Sequence, residues 1–284
     1  MSKEFKYEQS DYQRVASHLY RIAGIHLGDT RKEMVYSRLT RELRRLGLES
    51  VRDYLDYLDH AGQHEWTRFI NILTTNLTSF FREPHHFRIL TERILPVAQQ
   101  PVSIWSCGCA SGEEAYSIAM ACHEYYRQAQ APVSILATDI NTTMLQGAER
   151  GIYERASVEE LELERLRSYF WDGDGANSGF VKVKDLLRRT IQFRMLNLMQ
   201  PEWTIDGQFD AIFCRNVMIY FDKNTQYQIL KRFVPLLRQP HGLLFAGHSE
   251  AFFNAKDLFT PMGATTYRVA DQALTDPART SKAR

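Results

Sequence analysis

Beyond residue 100 the chain alternates short apolar runs with amphipathic helical segments, and this alternation limits the fold more than any other feature. β-Branched and aromatic residues predict strands at residues 102–105, 133–137, 191–196, 209–214 and 243–246. Helical spacing of apolar residues predicts helices between several of them, at residues 113–125, 142–150 and 223–237. This order is typical of an α/β fold with a doubly wound, mostly parallel sheet, whose ligands bind at the carboxyl ends of the strands.

Residues 1–90 are predicted to form a separate helical domain, because their apolar residues recur at helical spacing and strand signals are absent. The clearest helix covers residues 31–46. Thr30 and Glu33 have the spacing of a capping box, and Gly47 is typical of a residue that ends a helix. The rest of the chain, residues 91–284, is assigned to the α/β domain.

The helix at residues 31–46 is strongly basic, with six Lys and Arg residues against two Glu residues. Arg38, Arg41 and Arg45 are three and four residues apart, so a helix places them on one face. This face is either a solvated charged surface or a docking surface for an acidic protein partner.

Composition indicates an ordinary soluble protein that we expect in the cytoplasm. A formal charge of +1 gives no global field that would indicate nucleic acid or an anionic bilayer as a partner. Neither a signal peptide nor a run of ~20 uncharged apolar residues is recognisable. The four cysteines, including the pair Cys107 and Cys109, fit a reducing compartment, and without a second ligand pair they do not predict zinc.

Residues 76–83, N-L-T-S-F-F-R-E, place Arg82 beside two Phe residues just before Pro84. Apolar rings next to a cation predict the lining of a pocket whose ligand carries a carboxylate. The alternative is an ordinary helix end at which Arg82 pairs with Glu83 or another surface acid, since surface ion pairs are common and weak.

Polar residues follow the predicted strands, at the edge where a parallel sheet binds its ligands. After the first strand, residues 106–114 read S-C-G-C-A-S-G-E-E, in which Gly108 and Gly112 would let the backbone approach a ligand. The second strand ends at Asp139, a carboxylate suited to ribose hydroxyl groups. A cap for the next helix is the alternative role of Asp139.

The third and fourth strands also end in polar groups that need a partner. Asn197 and Leu198 suit the edge and the face of an adenine. Arg215 and Asn216 end the central strand, and leaving such groups buried and unpaired costs about 1 to 3 kcal/mol each. The glycine turn is neither G-x-G-x-x-G nor G-x-x-x-x-G-K-[ST], which disfavours dinucleotides and ATP. A nucleoside without a polyphosphate remains, and S-adenosylmethionine is the commonest such cofactor.

Five motifs together resemble one family. N-L-T-S-F-F-R-E, S-G-E-E-A-Y-S-I, A-T-D-I-N, F-D-A-I-F-C-R-N-V-M-I-Y-F and G-L-L-F-A-G-H-S-E occur in this order, and the similarity runs from about residue 12 to residue 269. They are similar to motifs of the chemotaxis receptor methyltransferases called CheR. The resemblance implies a Rossmann-like class I methyltransferase fold. It also implies methyl transfer from S-adenosylmethionine to glutamate side chains of bacterial chemoreceptors, which gives glutamate methyl esters and S-adenosylhomocysteine.

The same resemblance implies roles for individual residues. Tyr220 would stand near the reacting centre together with Arg82, and Arg38, Arg41 and Arg45 would contact the helical cytoplasmic part of the receptor. The residues that would line the cofactor pocket are Asn76, Thr78, Arg82, Glu114, Asp139, Asn197, Leu198, Arg215 and Asn216.

The chemistry of such a reaction needs neither a base nor a metal. A glutamate carboxylate is ionised at pH 7 and is already a nucleophile. Arg82 is therefore expected to orient the substrate or the carboxylate of the cofactor. His248, although it follows a strand, is expected to be a structural residue that holds its loop. His85 and His86 are expected to be no more than polar residues at a helix start.

Residues 151–192 interrupt the alternation and predict a small antiparallel β insert outside the main sheet. Its free edges could accept a peptide as an added strand. In the family such an insert docks a peptide from the receptor carboxyl terminus, and deleting it here is expected to abolish binding of that peptide. The polar residues after Gln272 predict a frayed tail.

Two other functions fit the cofactor motifs. One is a methyltransferase for a small carboxylic acid or another protein, which the basic helix and the insert disfavour because a small substrate needs no docking surface. The other is a non-catalytic module that binds S-adenosylmethionine, which the presence of both Arg82 and Tyr220 disfavours.

Overall fold

The chain folds into a helical bundle followed by an α/β sheet with a small β insert. The structure is a computed structural model that describes residues 4–128 and 130–274. Residues 275–284, in which most of the predicted frayed tail lies, are outside these ranges. Within the described ranges, no helix combines the length and the apolar character needed to cross a bilayer.

The bundle consists of four helices whose apolar faces meet in one core. Val15, Leu39, Leu55 and Phe69, one from each helix, are fully buried there. The four helices are α1 (Gln9–Ala23), α2 (Lys32–Leu46), α3 (Val51–His60) and α4 (Gln63–Leu73).

The predicted start of α2 is wrong, whereas its predicted end is confirmed. A 3₁₀ turn at Asp29–Arg31 precedes the helix, and Thr30 lies inside that turn. The N-cap residue is Arg31, whose side chain makes no capping hydrogen bond. Because the turn already bonds this segment of backbone, no capping box is needed. At the other end Gly47 adopts a left-handed conformation with φ 67°.

The main sheet has seven strands, and all five predicted strands are among them. Its order is β6-β2-β1-β7-β8-β10-β9, parallel from β6 to β8 and antiparallel at β10 and β9. The strands are β1 (Val102–Cys107), β2 (Val133–Asp139), β6 (Ile191–Met195), β7 (Ala211–Cys214), β8 (Leu243–Ala246), β9 (Phe259–Gly263) and β10 (Thr266–Val269). No sequence pattern indicated the last two strands, β9 and β10.

Helices and a second sheet complete the α/β domain. Alternate strand residues enter two apolar cores, one on each face: Ile104 lies in one and Trp105 in the other. The predicted helices are present with ends shifted by a few residues, and Asp222 caps α10 as expected. The helices of this domain are α5 (His85–Ile89), α6 (Glu113–Tyr126), α7 (Thr142–Arg150), α8 (Leu163–Tyr169), α9 (Asp185–Arg188), α10 (Lys223–Phe233) and α11 (Asp271–Leu274).

The predicted β insert is confirmed as an antiparallel unit, with three strands instead of a hairpin. Its order is β3 (Ile152–Glu154), β5 (Phe180–Val183) and β4 (Phe170–Asp172). Residue 191 already belongs to β6, so the unit ends before residue 192. Phe80 packs edge-on against both Tyr153 and Phe170 and thereby attaches the insert to the main domain.

The boundary between the two domains lies earlier than residue 90. The bundle core ends at Leu73. Phe80, Phe87 and Leu90 instead pack in the core of the main sheet. The segment after Leu73 is therefore the connection, and residues 80–90 belong to the α/β domain.

The bundle is attached to the α/β domain at several points. The backbone N–H of His26 donates to the carbonyl oxygen of Tyr220 at 2.8 Å. Gly24 ends α1 with φ 69°, and a Cβ atom there would lie 2.5 Å from Sδ of Met199. The positive φ and the close approach of Met199 therefore both favour glycine at this point.

We expect Gly24→Ala to destabilise the protein more than Gly47→Ala. Both glycines end a helix with nearly equal φ, 69° and 67°, so the backbone strain of about 1 kcal/mol is matched. Only at Gly24 does the new methyl group also meet Met199, which adds about 1 to 3 kcal/mol. Urea unfolding measures the difference, and equal losses in the two variants would contradict the close interdomain contact.

Candidate active site

A cavity of about 250 Å³ lies where the carboxyl ends of β1, β2, β6 and β7 face the helical bundle. The strand ends contribute Cys107, Asp139 and Leu196 to its wall. Every residue predicted to bind the cofactor lines this one cavity, and Tyr220 does so too. These residues are Asn76, Thr78, Arg82, Glu114, Asp139, Asn197, Leu198, Arg215, Asn216 and Tyr220.

The helical bundle forms the opposite wall, which the sequence analysis missed. Ala23, Ile25, His26, Leu27 and Arg31 line the cavity from the end of α1 and the loop that follows it. No local pattern marks these residues, since their position depends on how two domains dock. The loop is fixed by its hydrogen bond from His26 to the backbone of Tyr220.

Segment 76–83 crosses the cavity in an unusual backbone conformation. Phe81 and Glu83 have positive φ values of 51° and 54°, which L residues rarely adopt. The Phe side chains do not line the cavity as predicted: Phe80 is buried against the insert, and Phe81 packs on Phe87. Anchoring both rings in the core turns the polar side chains of the segment toward the cavity.

Arg82 lines the cavity and does not pair with Glu83. Its Nη1 donates to the carbonyl oxygen of Leu77 at 3.0 Å. Glu83 accepts instead from Nδ1 of His248, at 3.0 Å, and its other oxygen lies 3.3 Å from Nη2 of Arg215. The alternative of a simple ion pair at a helix end is therefore excluded.

Arg215 is the centre of a buried ionic network. Its side chain is only 2% exposed, and its Nη1 lies 3.1 Å from Oε2 of Glu114. Its Nη2 donates to the backbone carbonyl of Arg82. Ser106 donates to the other oxygen of Glu114 at 2.7 Å. Burial raises the pKa of Glu114, while the charge of Arg215 opposes that rise. Such a network is favourable only while every charge keeps its partner.

Asp139 is held by the backbone on both sides. Its two oxygens accept from the N–H groups of Ala110 and Asn141, each at 2.8 Å. The alternative role as a helix cap is wrong, because Asn141 itself caps α7 by accepting from Thr143 and Met144. Burial raises the pKa of Asp139, and these backbone hydrogen bonds oppose the rise. A carboxylate has about four acceptor positions, so capacity remains for a ligand.

Asn197 and Asn216 are both fixed before any ligand binds. Nδ2 of Asn197 donates to the carbonyl oxygen of Ile22 in the bundle at 2.7 Å. Asn216 has φ 58°, and its backbone N–H donates to Oε2 of Glu250 at 2.9 Å. Glu250 also accepts from the N–H groups of Gly247 and Ile219. It therefore holds the loop between Asn216 and Tyr220, a role that the sequence analysis did not assign.

The two glycines of the first turn have different roles. Gly108 lines the cavity, as predicted. Gly112 does not, and a Cβ atom there would lie 2.8 Å from Cβ of Ala148. Its missing side chain allows α6 to approach α7, so the expectation that it faces the ligand is wrong.

The histidines differ more than expected. His248 is 69% exposed and, as expected, holds its loop through Glu83. His86 is fully buried, and its Nε2 donates to the carbonyl oxygen of Ala264 at 2.9 Å. The expectation that His86 is only a polar residue at a helix start is therefore wrong.

Glu83, His85 and His86 form the one metal-competent cluster among residues 4–128 and 130–274, with ligand atoms within 4.8 Å of one another. No cysteine belongs to it. Glu83 is already engaged by His248 and by the charge of Arg215. Burial alone would raise the pKa of Glu83, but these two partners lower it to about 2.

The three arginines predicted to form one docking face differ in their exposure and in their partners. Arg38 is half-buried and donates to the carbonyl oxygens of Ile72, Leu73 and Thr74 at the end of α4. Arg38 thus caps that helix, and its guanidinium group is already occupied. Its role in docking a receptor stays a prediction. Arg45 pairs with Glu42 and Glu65. Arg41 is exposed and has no ion pair within the described part of the chain.

Comparisons with known proteins identify related sequences over nearly the whole chain. The family description "CheR methyltransferase, all-alpha domain" matches residues 10–74, and "CheR methyltransferase, SAM binding domain" matches residues 76–268. Chemotaxis protein methyltransferase 2 of Pseudomonas aeruginosa is 45% identical over 271 residues, which cover 95% of this chain and 96% of that protein. The chemotaxis protein methyltransferase of Escherichia coli is 44% identical over 272 residues, covering 95% and 94%.

We expect His86 to make the stability of the protein depend on pH in a defined window. Burial and the nearby charge of Arg215 lower the pKa of His86 to about 4, below its usual value of 6.5. The unfolded chain therefore binds this proton first. Stability is complete above pH 6.5 and falls as the pH drops from 6.5 toward 4, by about 3 kcal/mol at about 1.4 kcal/mol per pKa unit.

The test is urea unfolding of wild type and His86→Gln between pH 7 and pH 4.5. The variant should lose this part of the slope, whereas His64→Gln, at an exposed position, should keep it. A wild-type slope that survives in His86→Gln would show that other groups cause it.

Proposed function

The chain belongs to the CheR methyltransferase family, and from that membership we propose the reaction of the cavity in detail. The protein is an S-adenosylmethionine-dependent methyltransferase of chemotaxis, whose substrates are chemoreceptors. We propose that the methyl group goes to glutamate side chains of the receptor, which become methyl esters, and that this reaction provides sensory adaptation. The observation that carries the proposal is the convergence of ten predicted residues on one cavity.

The residues of the cavity fit the cofactor. Asp139, at the end of β2, keeps acceptor capacity for ribose hydroxyl groups after binding two backbone N–H groups. Asn76 and Thr78 face the cavity, and within the described ranges their side chains have no hydrogen-bond partner. Leu198 provides an apolar surface for a base. Arg82 offers a cation to the amino acid carboxylate of the cofactor.

S-adenosylmethionine supplies an electrophilic methyl group on a sulfonium sulfur. The receptor glutamate supplies an electron pair from a carboxylate oxygen, which forms the new O–C bond while the pair of the broken C–S bond stays on sulfur. A carboxylate and a sulfonium thus become a neutral ester and a neutral thioether. The protein must align the reacting atoms and exclude water, and no proton needs to be removed.

This chemistry determines what the protein residues do. A tight ion pair with the attacking carboxylate would stabilise the ground state more than the transition state, in which the negative charge fades. Tyr220 can orient the carboxylate through its neutral hydroxyl group without removing much of that charge. We propose that neither a metal nor a general base takes part, because the nucleophile is ionised at pH 7.

The receptor docks, in this proposal, on the outer surface of the bundle and on the β insert. Arg41 on α2 is exposed and free to meet an acidic receptor helix. In the insert, β3 and β4 are the edge strands, and Trp171 on β4 is 63% exposed. An edge strand beside an exposed aromatic residue can take a peptide as an added strand, here the receptor carboxyl-terminal tail. The free buried cysteines support a reducing, cytoplasmic location.

The decisive experiment is transfer of tritiated methyl groups to membranes that contain chemoreceptors. We expect base-labile label on receptor glutamates.

Tyr220→Phe should slow turnover about tenfold, the effect of losing one hydrogen bond, while S-adenosylhomocysteine affinity measured by calorimetry stays unchanged. Asp139→Ala should weaken that affinity. Cofactor binding without methyl transfer to any receptor would favour a binding module, and transfer only to a small acid would favour the other alternative.

The tail proposal has a separate test that uses point variants, since deletion of the insert would expose Phe80. Trp171→Ala should weaken binding of a synthetic receptor tail peptide about tenfold, because an exposed aromatic anchor is lost. Tyr125→Ala, at another exposed aromatic position, is the matched control and should leave the affinity unchanged. Equal affinities in wild type and Trp171→Ala would refute docking at this edge.

A further inference from the structure

Arg31 extends from the helical bundle into the cavity of the α/β domain. It ends the 3₁₀ turn before α2 and lines the cavity together with Arg82 and Tyr220. Its guanidinium carbon lies 5.9 Å from the ring centre of Tyr220, on the ring face. Arg31 is therefore on the same side of the cavity as the residue nearest the proposed chemistry.

Most other basic residues around α2 are occupied by partners, whereas Arg31 is not. Arg44 pairs with Glu4, Arg45 pairs with two glutamates, and Lys32 donates to Gln9. Within residues 4–128 and 130–274, the guanidinium group of Arg31 has neither a hydrogen bond nor an ion pair. A cation that lines a cavity and whose N–H groups have no acceptor indicates that an anion binds there.

A second cation strengthens this local field. Arg38 lies close enough for its pKa to be lowered, first by burial and then by the charge of Arg31. Arg38 itself is occupied by the carbonyl oxygens at the end of α4. Two nearby positive charges, of which only Arg31 lacks hydrogen-bond acceptors within the described ranges, favour an incoming carboxylate next to Arg31.

The reaction brings two carboxylates into the cavity, and the cavity has two arginines on different elements. Arg82 belongs to the same segment as Asn76 and Thr78, which suits the carboxylate of the cofactor. Arg31 belongs to the opposite wall, beside Tyr220. Leu77, 82% exposed, and Ile219, 50% exposed, also line the cavity, and exposed apolar residues at a site indicate a large partner that covers them.

We propose that Arg31 binds the side-chain carboxylate of the receptor glutamate that accepts the methyl group. The inference rests on the proposed function and adds a substrate-binding residue to it. Arg31 contacts one carboxylate oxygen while the other oxygen donates its electron pair to the methyl carbon. The C–S electron pair leaves with sulfur, and the product ester, now neutral, loses its attraction to Arg31 and can depart.

The partial exposure of Arg31 determines which kinetic constant it changes. In a half-exposed site the contact between Arg31 and the receptor carboxylate stabilises the ground state. This contact does not become stronger in the transition state, where the negative charge of the carboxylate fades. Loss of the contact therefore raises KM for the receptor and leaves kcat nearly unchanged. We expect about a tenfold rise in KM, at the low end for a hydrogen bond to a charged group.

The experiment compares Arg31→Gln with wild type in methyl transfer to receptor-containing membranes. KM for the receptor should rise about tenfold with kcat within about threefold, and Arg31→Lys should recover part of the loss because it restores the charge. Calorimetry provides readouts independent of activity. Affinity for a receptor cytoplasmic fragment should fall in Arg31→Gln, and affinity for S-adenosylhomocysteine should not.

Lys32→Gln is the matched control, because it removes the same charge one residue away on a side chain that contacts Gln9 and the ring of Tyr7. It should keep the wild-type KM. An unchanged KM in Arg31→Gln would overturn the inference while methylation by wild type still supported the proposed function. Equal losses of S-adenosylhomocysteine affinity and receptor affinity would assign Arg31 to the cofactor and also overturn it. Failure of wild type to methylate any receptor would instead refute the proposed function.

Discussion

The buried guanidinium group of Arg215 holds the active site together. It ends the central strand β7 and contacts Glu114 on α6, Glu83 and the backbone of Arg82. Three elements that are distant in sequence are thus fixed around one cation. The strained backbone of segment 76–83 persists because these contacts and the two buried Phe rings determine its path. The network thereby sets the direction of the side chains that face the cavity. Removing one of its charges would leave another charge buried without a partner.

The second constraint is that the cavity lies between two domains. The strand ends supply one wall and the bundle supplies the other, and direct hydrogen bonds join them from His26 to Tyr220 and from Asn197 to Ile22. Asn197 therefore lines the cavity and also sets the position of the bundle. A change in the docking of the bundle would alter both walls of the cavity together. The close contact at Gly24 limits such changes, because a side chain there would have to displace Met199.

Sequence patterns predicted the features that depend on a single helix or strand. They missed the features that depend on contacts between two elements. The five parallel strands and their polar ends were predictable, because these strands are rich in β-branched and aromatic residues and ligands bind at their carboxyl ends. Strand β9 was missed since it contains Pro261 and ends at Gly263, which an edge strand tolerates but a strand pattern does not favour. The direction of Phe80 and the inward turn of Arg38 depend on tertiary contacts with the insert and with α4, and helical spacing alone gives no information about them.

The distribution of charge across the cavity suits a reaction in which charge disappears. Arg215 and Glu114 are buried and paired, so their field is fixed and contributes to the scaffold. Arg82 and Arg31 line the cavity from opposite walls, and each can meet one carboxylate. In the proposed reaction the cofactor keeps its carboxylate, so a firm contact with Arg82 would cost nothing in the transition state. The nucleophile loses its charge, so a tight ion pair with it would slow the reaction. Arg31, whose guanidinium group has no hydrogen bond or ion pair within the described ranges, is the arginine we propose as its partner.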